Sequence, residues 1–405
     1  MPDLPTAYHL VVIAVLLIGL ANVLLNLSCF DGLTPAPPPG PGSPRVSILV
    51  PARNEERCIG ACIASLLAQD YPDFELLVLD DQSSDATPRL LDQLGLRPED
   101  PHRRLIRGQP LPEGWVGKNW ACDQLARAAT GEFLFFTDAD TTHAPGTVSA
   151  AVAYAERRRA SLVSAWPRLV TVTWSERLII PMILLLGLTL YPHWLVLALQ
   201  RWPGAARFLP RTVRRGLGAG NGQFMFWRRA AYDTVGGHAQ LRAHLVEDVA
   251  LGRAVAERMD EGLRLFNCDA LRFSTCRMYR SFGEVWEGFT KNLWPAFEAK
   301  LPAFCMIGTM QICAWFAPCV LLWIKWGTPE RPWIAAQVGL IVAIRILLTV
   351  RFRTAWLSCL LHPLAELLGI AIALNSWRLA GRRGVMWKGR RYTTVAPPGE
   401  PFEKQ

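Results

Sequence analysis

The stretch Phe133-Leu134-Phe135-Phe136-Thr137-Asp138-Ala139-Asp140 constrains this chain more than any other. Its first four residues are all apolar. That fits a strand buried on both faces, as in a parallel sheet covered by helices. The run then breaks into two aspartates one residue apart. In an open α/β sheet, ligands bind at the carboxyl ends of the strands. Two carboxylates this close repel one another unless a cation lies between them. A hard divalent ion with oxygen ligands, backed by a diphosphate, meets that requirement. The plainer reading of Asp-Ala-Asp, a strand end capping a turn, stands beside it.

The surrounding residues supply the rest of such a sheet. Residues 46–50, 74–79, 104–106 and 132–137 read as strands. Pro51-Ala52-Arg53-Asn54-Glu55-Glu56 reads as the turn into a helix ending near Gln69. Ser83-Ser84-Asp85 reads as the capped start of a second helix, and 118–130 as a third. Strands alternating with helices at this spacing imply a parallel sheet with right-handed crossovers. Residues 45–276 are expected to form one water-soluble α/β domain.

The flanks differ in character. Residues 9–30 are almost uncharged and long enough to span a bilayer. The start carries Asp3 and no Lys or Arg, so 1–30 reads as a retained transmembrane helix rather than a cleaved signal. A Pro/Gly linker follows at 31–44. Within the α/β domain, an apolar insertion at about 174–202 is interrupted by Pro181 and Pro192. It suggests a helix pair on, or dipping into, the membrane interface. Residues 277–300 place Phe282, Trp286, Phe289, Leu293 and Phe297 at helical spacing, which suits a helix in the membrane plane or an ordinary core-facing one.

C-terminal membrane helices are expected over 301–377, in three apolar segments. A basic tail, 378–405, follows, and the positive-inside rule puts it in the cytoplasm. If the α/β domain is cytoplasmic and all three segments cross, the tail ends outside. One segment must then be re-entrant, and His362-Pro363 with Glu366 marks the last. The net charge of +9 lies largely beside apolar stretches, which points to an anionic bilayer and not to nucleic acid. Ten cysteines without zinc-like spacing read as reduced, buried thiols on the cytoplasmic side.

Four acidic constellations follow in order: Glu55, Asp80-Asp81, Asp138 with Asp140, and Glu247-Asp248. Their surroundings are Val50-Pro51-Ala52-Arg53-Asn54-Glu55, Leu79-Asp80-Asp81-Gln82-Ser83-Ser84-Asp85-Ala86-Thr87, Gly117-Lys118-Asn119-Trp120 and Thr137-Asp138-Ala139-Asp140. With these, and with the tail motif Trp387-Lys388-Gly389-Arg390-Arg391-Tyr392, the chain resembles a membrane-bound family 2 glycosyltransferase. That family has an α/β GT-A fold, Rossmann-like with a mostly parallel sheet. The layout is similar to lipid glycosyltransferases of the ceramide, hopanoid and carotenoid type, and the likeness covers roughly 46–294 plus the tail motif.

The resemblance implies a role for each matching residue. Pro51, Ala52, Arg53, Asn54 and Glu55 would lie against the nucleotide, and Asp80 or Asp81 would accept from uracil and ribose. Lys118 would reach the base or the diphosphate. Asp138, with Ala139 beside it, would meet ribose or metal, and Asp140 would ligate Mg²⁺ or Mn²⁺. Asp248, next to Glu247, matches the general base that takes the acceptor proton. The plainer readings are helix capping for Asp80-Asp81, a surface lysine for Lys118 and helix-dipole stabilisation for Glu247-Asp248. His143 reads as a second metal ligand or as a surface turn histidine.

In Gly218-Ala219-Gly220-Asn221-Gly222-Gln223, glycines would let the backbone approach a sugar, with Asn221 and Gln223 bonding its hydroxyls; a plain loop is the alternative. On the acceptor and diphosphate side stand Trp286, Lys291, Trp294, Arg390 and Tyr392. The Gln/Arg-x-x-Arg-Trp box of the family's processive synthases is missing, which argues against chain synthesis. The expected activity is inverting transfer of one hexose from a UDP-sugar to a membrane-lipid hydroxyl. Transfer to a polyprenyl phosphate, or a catalytically silent membrane scaffold, are the alternatives.

Overall fold

The computed structural model of the chain describes residues 4–38, 40, 42–380 and 384–392. They fall into two compact units. One joins Cys29–Val170 to His193–Met278; the other gathers the N-terminal helix up to Ser28, Thr171–Pro192 and the chain from Tyr279 onward. Arg382, Arg383 and the tail beyond Tyr392 lie outside the described residues.

The first unit is built on β1 (Val46–Ala52), β2 (Phe74–Asp80), β3 (Arg103–Arg107), β4 (Phe133–Phe136), β5 (Thr141–His143), β6 (Leu162–Trp166), β7 (Arg168–Leu169), β8 (Met225–Arg228), β9 (Leu265–Asp269) and β10 (Ser274–Cys276). Seven strands form one sheet in the order β3-β2-β1-β4-β8-β6-β9. Every neighbouring pair is parallel except the two involving β8, so β8 alone runs against the other six. This is the mostly parallel GT-A-like α/β fold.

Strand alternation explains its two layers. Ile48, Val50, Leu76, Val78, Phe133 and Phe135 share one face with the helices Ile59–Leu67 and Thr147–Arg158. Leu49, Leu77, Leu134 and Phe136 share the other with Gly117–Ala128 and Glu247–Glu257. The register sets Ala52 level with Asp80 and Leu49 level with Phe136, so the turns after β1, β2 and β4 leave along one edge. A second, three-stranded sheet, β5-β10-β7, pairs Cys276 with Thr141 and so carries residue 276 to the end of the Asp-Ala-Asp stretch.

Two local expectations change. The helix expected from Ser83 begins only at Thr87, and Ala86 at its N-cap offers no side-chain bond. Ser83 and Ser84 bond across to the turn after β1, and Asp85 divides its carboxylate between Glu56 N–H on that turn and the local Thr87 N–H. The Pro/Gly stretch also starts docked rather than free. Asp31 accepts from Tyr154 Oη at 2.6 Å and pairs with Arg158, and Leu33 N–H donates to the Asp269 carbonyl at 2.9 Å.

The other unit is helical. Among the described residues three helices are long and apolar enough to cross a membrane: Pro5–Cys29, Leu301–Ile324 and Arg331–Phe352. The last long helix, His362–Ala380, is not one of them. Two asparagines interrupt the apolar N-terminal helix for a reason. Asn26 donates to the carbonyls of Leu188 (2.9 Å) and Tyr191 (2.8 Å), and Asn22 to that of Thr189 (3.0 Å). These carbonyls lack intrahelical partners because Met182–Leu190 stops ahead of Pro192. Within the insertion Leu178, Ile179, Leu184, Leu185 and Leu188 are buried, whereas Trp174 and Trp202 near its two ends are exposed.

Phe282–Ala296 buries Val285, Gly288, Thr290 and Trp294. It packs on His362–Ala380, where Asn375 donates to Thr290 Oγ1 (3.1 Å) and Trp294 N–H to Ser376 Oγ (2.9 Å). Val385–Trp387 and Arg390–Tyr392, β11 and β12, form a hairpin. Its turn residues Lys388 and Gly389 both take positive φ, as a two-residue hairpin turn needs.

Candidate active site

The turns after β1 and β2 are stitched to each other. Asn54, in the left-handed region (φ 54°), accepts from Ser84 N–H at 2.8 Å and donates its own N–H to Ser83 Oγ at 3.0 Å. Glu55 N–H donates to Thr87 Oγ1 at 2.8 Å, and the Arg53 guanidinium donates to the carbonyls of Asp81 and Gln82. Asp80 accepts from Ser83 N–H at 3.2 Å. Both Asp80 and Asp81 are buried, and Asp81 N–H closes onto the Ala52 carbonyl at 2.8 Å. The residues expected around a nucleotide thus form one rigid rim at the ends of β1 and β2, with Pro51 and Ala52 in β1 itself.

Lys118 organises the centre. Its ammonium lies 2.6 Å from Asp138 Oδ1 and 2.8 Å from Glu247 Oε1. Desolvation works against the charge, but Asp138 and Glu247 outweigh it and hold Lys118 protonated well above the ordinary lysine range. Its neighbour Asn119 supplies the geometry. That buried side chain donates to the carbonyls of Leu241 (2.6 Å) and His244 (2.9 Å), and Val116 N–H donates to the Arg242 carbonyl (2.7 Å). These bonds clamp the loop that delivers the N-terminus of Glu247–Glu257 to Lys118.

Asp248 sits in the first turn of that helix. Its Oδ2 accepts from Gly222 N–H at 2.9 Å and its Oδ1 from Val249 N–H at 2.8 Å. Desolvation first, then the adjacent Glu247 carboxylate, push its pKa up to about 6; Lys118 and the two N–H donors pull the other way. A carboxylate with that pKa is ionised at neutral pH and basic enough to accept a proton.

The glycine-rich loop is not shaped for a sugar in the way its sequence suggests. A Cβ on Gly218 would lie 2.5 Å from the Gly252 carbonyl oxygen, and one on Gly220 would lie 2.6 Å from that of Asp248. The glycines let the loop press against the helix that bears Asp248. Ser164 Oγ and the Asn267 amide hold the loop from behind, through Asn221 N–H (2.7 Å) and the Ala219 carbonyl (3.1 Å). Gln223 is buried, and its amide donates to Cys276 Sγ at 3.0 Å while its Oε1 accepts from Asn221 at 3.2 Å. The expectation that Gln223 bonds a sugar hydroxyl therefore gives way to a role in shaping the loop.

The Cys276 thiol lies 3.4 Å from Asp140 Oδ1. Burial, with Asp140 and Asp138 nearby, holds that thiol well above its usual range, so it donates to Asp140 as a neutral group. His143 is neither a ligand nor on the surface. It is buried, with Nε2 on Thr137 Oγ1 (2.8 Å) and Nδ1 on Ser274 Oγ (2.9 Å), and burial lowers its pKa to about 3. Among the described residues no three His, Cys, Asp or Glu side chains gather to hold an ion by themselves. Asp138 and Asp140 offer hard oxygen donors one residue apart. That pair fits Mg²⁺ or Mn²⁺ drawing its other ligands from water and a diphosphate.

Lys118, Asp138, Glu247, Asp248, Asn221 and Asp140 thus come together in one unit. Trp286, Lys291, Trp294, Arg390 and Tyr392 belong to the other. Within it Trp294 is a packing residue, edge-on to Phe304 at 5.1 Å. Sequence reasoning missed Asn119, Cys276, Ser164, Asn267 and the Gly222 N–H. The first had a signal, since it directly follows Lys118 at the start of a helix.

Residues 47–233 match the family described as Glycosyl transferase family 2. Over that segment the chain is similar to the glycosyltransferases of that family. The 4,4'-diaponeurosporenoate glycosyltransferase of Staphylococcus aureus (strain USA300) is 25% identical over 362 residues, covering 86% of this chain and 88% of that protein. Among solved structures, a mannosyltransferase from Pyrobaculum calidifontis in complex with GDP-Man and Mn²⁺ shares 19% identity at a TM-score of 0.49, over 92% of this chain and 99% of that one. The glucosyl-3-phosphoglycerate synthase of Mycobacterium tuberculosis, with Mn²⁺, UDP and phosphoglyceric acid, shares 20% at 0.39, over 66% and 86%.

Proposed function

We propose that this enzyme transfers one hexose from a UDP-sugar to the hydroxyl of a membrane lipid, with inversion at the anomeric carbon. The observation that carries the proposal is the single ammonium of Lys118 within ion-pair distance of both Asp138 and Glu247. It links the acid at the end of β4, suited to the donor, with the helix turn that holds Asp248, suited to the acceptor.

The rim from Pro51 to Glu55, with Asp80 and Asp81, would receive the nucleotide. Asp138 and Asp140 would hold Mg²⁺ or Mn²⁺, which when bound supplies Lewis-acid stabilisation of the departing diphosphate. Lys118 adds a fixed positive charge beside the same phosphates. Asp248, oriented by Gly222 N–H and Val249 N–H, takes the proton as the acceptor oxygen attacks the anomeric carbon. One displacement inverts the configuration.

A lipid acceptor is supported by the apolar helices and by the relative named for 4,4'-diaponeurosporenoate. The catalytic unit is assigned to the cytoplasmic side of the cell membrane. With Pro5–Cys29 leading in, two further crossings bring the basic tail back to that side.

Membranes containing the enzyme, given labelled UDP-glucose, UDP-galactose or UDP-GlcNAc and host lipid, should yield a labelled lipid from one donor in the presence of Mn²⁺. Label that stays wholly in water, with UDP released at the same rate whether or not lipid is added, would refute the proposal.

A further inference from the structure

The segment from Arg201 to Arg215, in the catalytic unit, carries five arginines and no acidic residue. Its backbone is pinned. Ala206 is fully buried, and buried Arg214 pairs with Asp260 at 2.6 Å while donating to the Ala206 carbonyl at 3.2 Å. The large apolar side chains of this anchored segment nevertheless face outward. Trp202 is 72% exposed, Phe208 90% and Val213 46%. Arg201 and Arg207 are exposed among them and form no ion pair among the described residues. Arg211 and Arg215 turn instead toward Glu257, with Arg211 also facing Glu261.

Holding a tryptophan and a phenylalanine in water forfeits the burial energy of both, and isolated exposure of one such ring is commonplace whereas a pair flanked by unpaired arginines is not. We propose that residues 201–213 are a membrane-contact site through which the catalytic unit itself seats on an anionic bilayer surface. Trp202 and Phe208 enter the boundary between headgroups and acyl chains, and Arg201 and Arg207 meet lipid phosphates. Aromatic rings at that depth with guanidinium groups above them are the chemistry of an interfacial anchor.

The inference rests on the membrane reading above and relocates part of it. Leu178, Ile179, Leu184, Leu185 and Leu188 in the body of the insertion turn inward, so the contact falls to its end at Trp202 and the arginine-rich stretch that follows.

The test is amide hydrogen exchange of the full-length protein in nanodiscs, one set of phosphatidylcholine alone and one of phosphatidylcholine mixed with phosphatidylglycerol. Exchange over 201–213 should be slower by about tenfold in the anionic discs. Arg201→Gln with Arg207→Gln should remove the difference between the two lipids. Trp202→Ser with Phe208→Ser, both surface changes, should remove the protection while calorimetric UDP binding stays unchanged. Equal exchange in the two kinds of disc overturns the proposal. So does protection that appears in detergent and grows with protein concentration, since a second copy of the chain would then cover the patch. Loss of UDP binding in the unaltered protein would sink the functional reading without touching this one.

Discussion

Asp248 has its pKa pushed up to about 6 by burial first and by the adjacent Glu247 carboxylate second, against the pull of Lys118 and two N–H donors. As a base it works only when ionised, so kcat/KM should fall tenfold per pH unit below about 6 and level off above it. Removing the ammonium in Lys118→Met takes away a charge that favours the carboxylate, so the acid limb should move to higher pH and donor affinity should drop. A pH profile unmoved by that change would mean Lys118 does not act on Asp248. Asp140→Ala should abolish Mn²⁺-dependent UDP binding; unchanged calorimetric affinity in Mn²⁺ would remove Asp140 from the metal site. At this scale the sequence was legible where the candidate site uses a side chain of distinctive type at an element's end, as with Asp138, Asp140, Lys118 and Asp248. It was not legible where a backbone N–H acts, as at Gly222, or where tertiary pairing imports a partner, as β10 imports Cys276.

The element that carries Asp248 is Glu247–Glu257, and two close approaches hold it. A Cβ on Gly252 would lie 2.5 Å from the Ala219 carbonyl carbon, with backbone on both sides. Gly252→Ala should therefore destabilise the protein by about 1–3 kcal/mol and displace the loop from Asp248, read as a lower midpoint of thermal unfolding together with a lower kcat. Asn119→Ala would strand buried carbonyls, at a cost of about 1–3 kcal/mol. A full-activity Gly252→Ala enzyme with unchanged stability would show that the contact is not tight.

The helix-strand alternation through β4 was readable because β1, β2 and β4 are largely apolar runs, while β3, Arg103–Arg107, is an arginine-bearing edge strand. Beyond it the order β4-β8-β6-β9 departs from chain order. The partners are set by long-range pairing that no local pattern announces. The same cause moved the helix start from Ser83 to Thr87, since Ser83 and Ser84 find better partners on another loop.

For the whole molecule, three helices among the described residues are each long and apolar enough to cross, and the bent pair Trp174–Leu190 with His193–Arg201 passes the same test only as a pair. If those three alone cross, beginning with the N-terminal helix, the tail returns to the side of the catalytic unit, as the positive-inside rule asks. His362–Ala380 falls outside the set, as Glu366 and His362-Pro363 suggested. Tags on the tail and on the catalytic unit should both be accessible from the cytoplasmic face alone; a tail tag reached only from outside would require a fourth crossing.

The most direct test of the account compares Asp248→Asn with the unaltered enzyme in single-turnover transfer, with UDP binding measured on the same preparations. The account predicts that UDP and Mn²⁺ bind with unchanged affinity while transfer to the lipid hydroxyl slows by about a hundredfold to ten-thousandfold. Transfer at the original rate, or a loss of UDP binding equal to the loss of transfer, would contradict it.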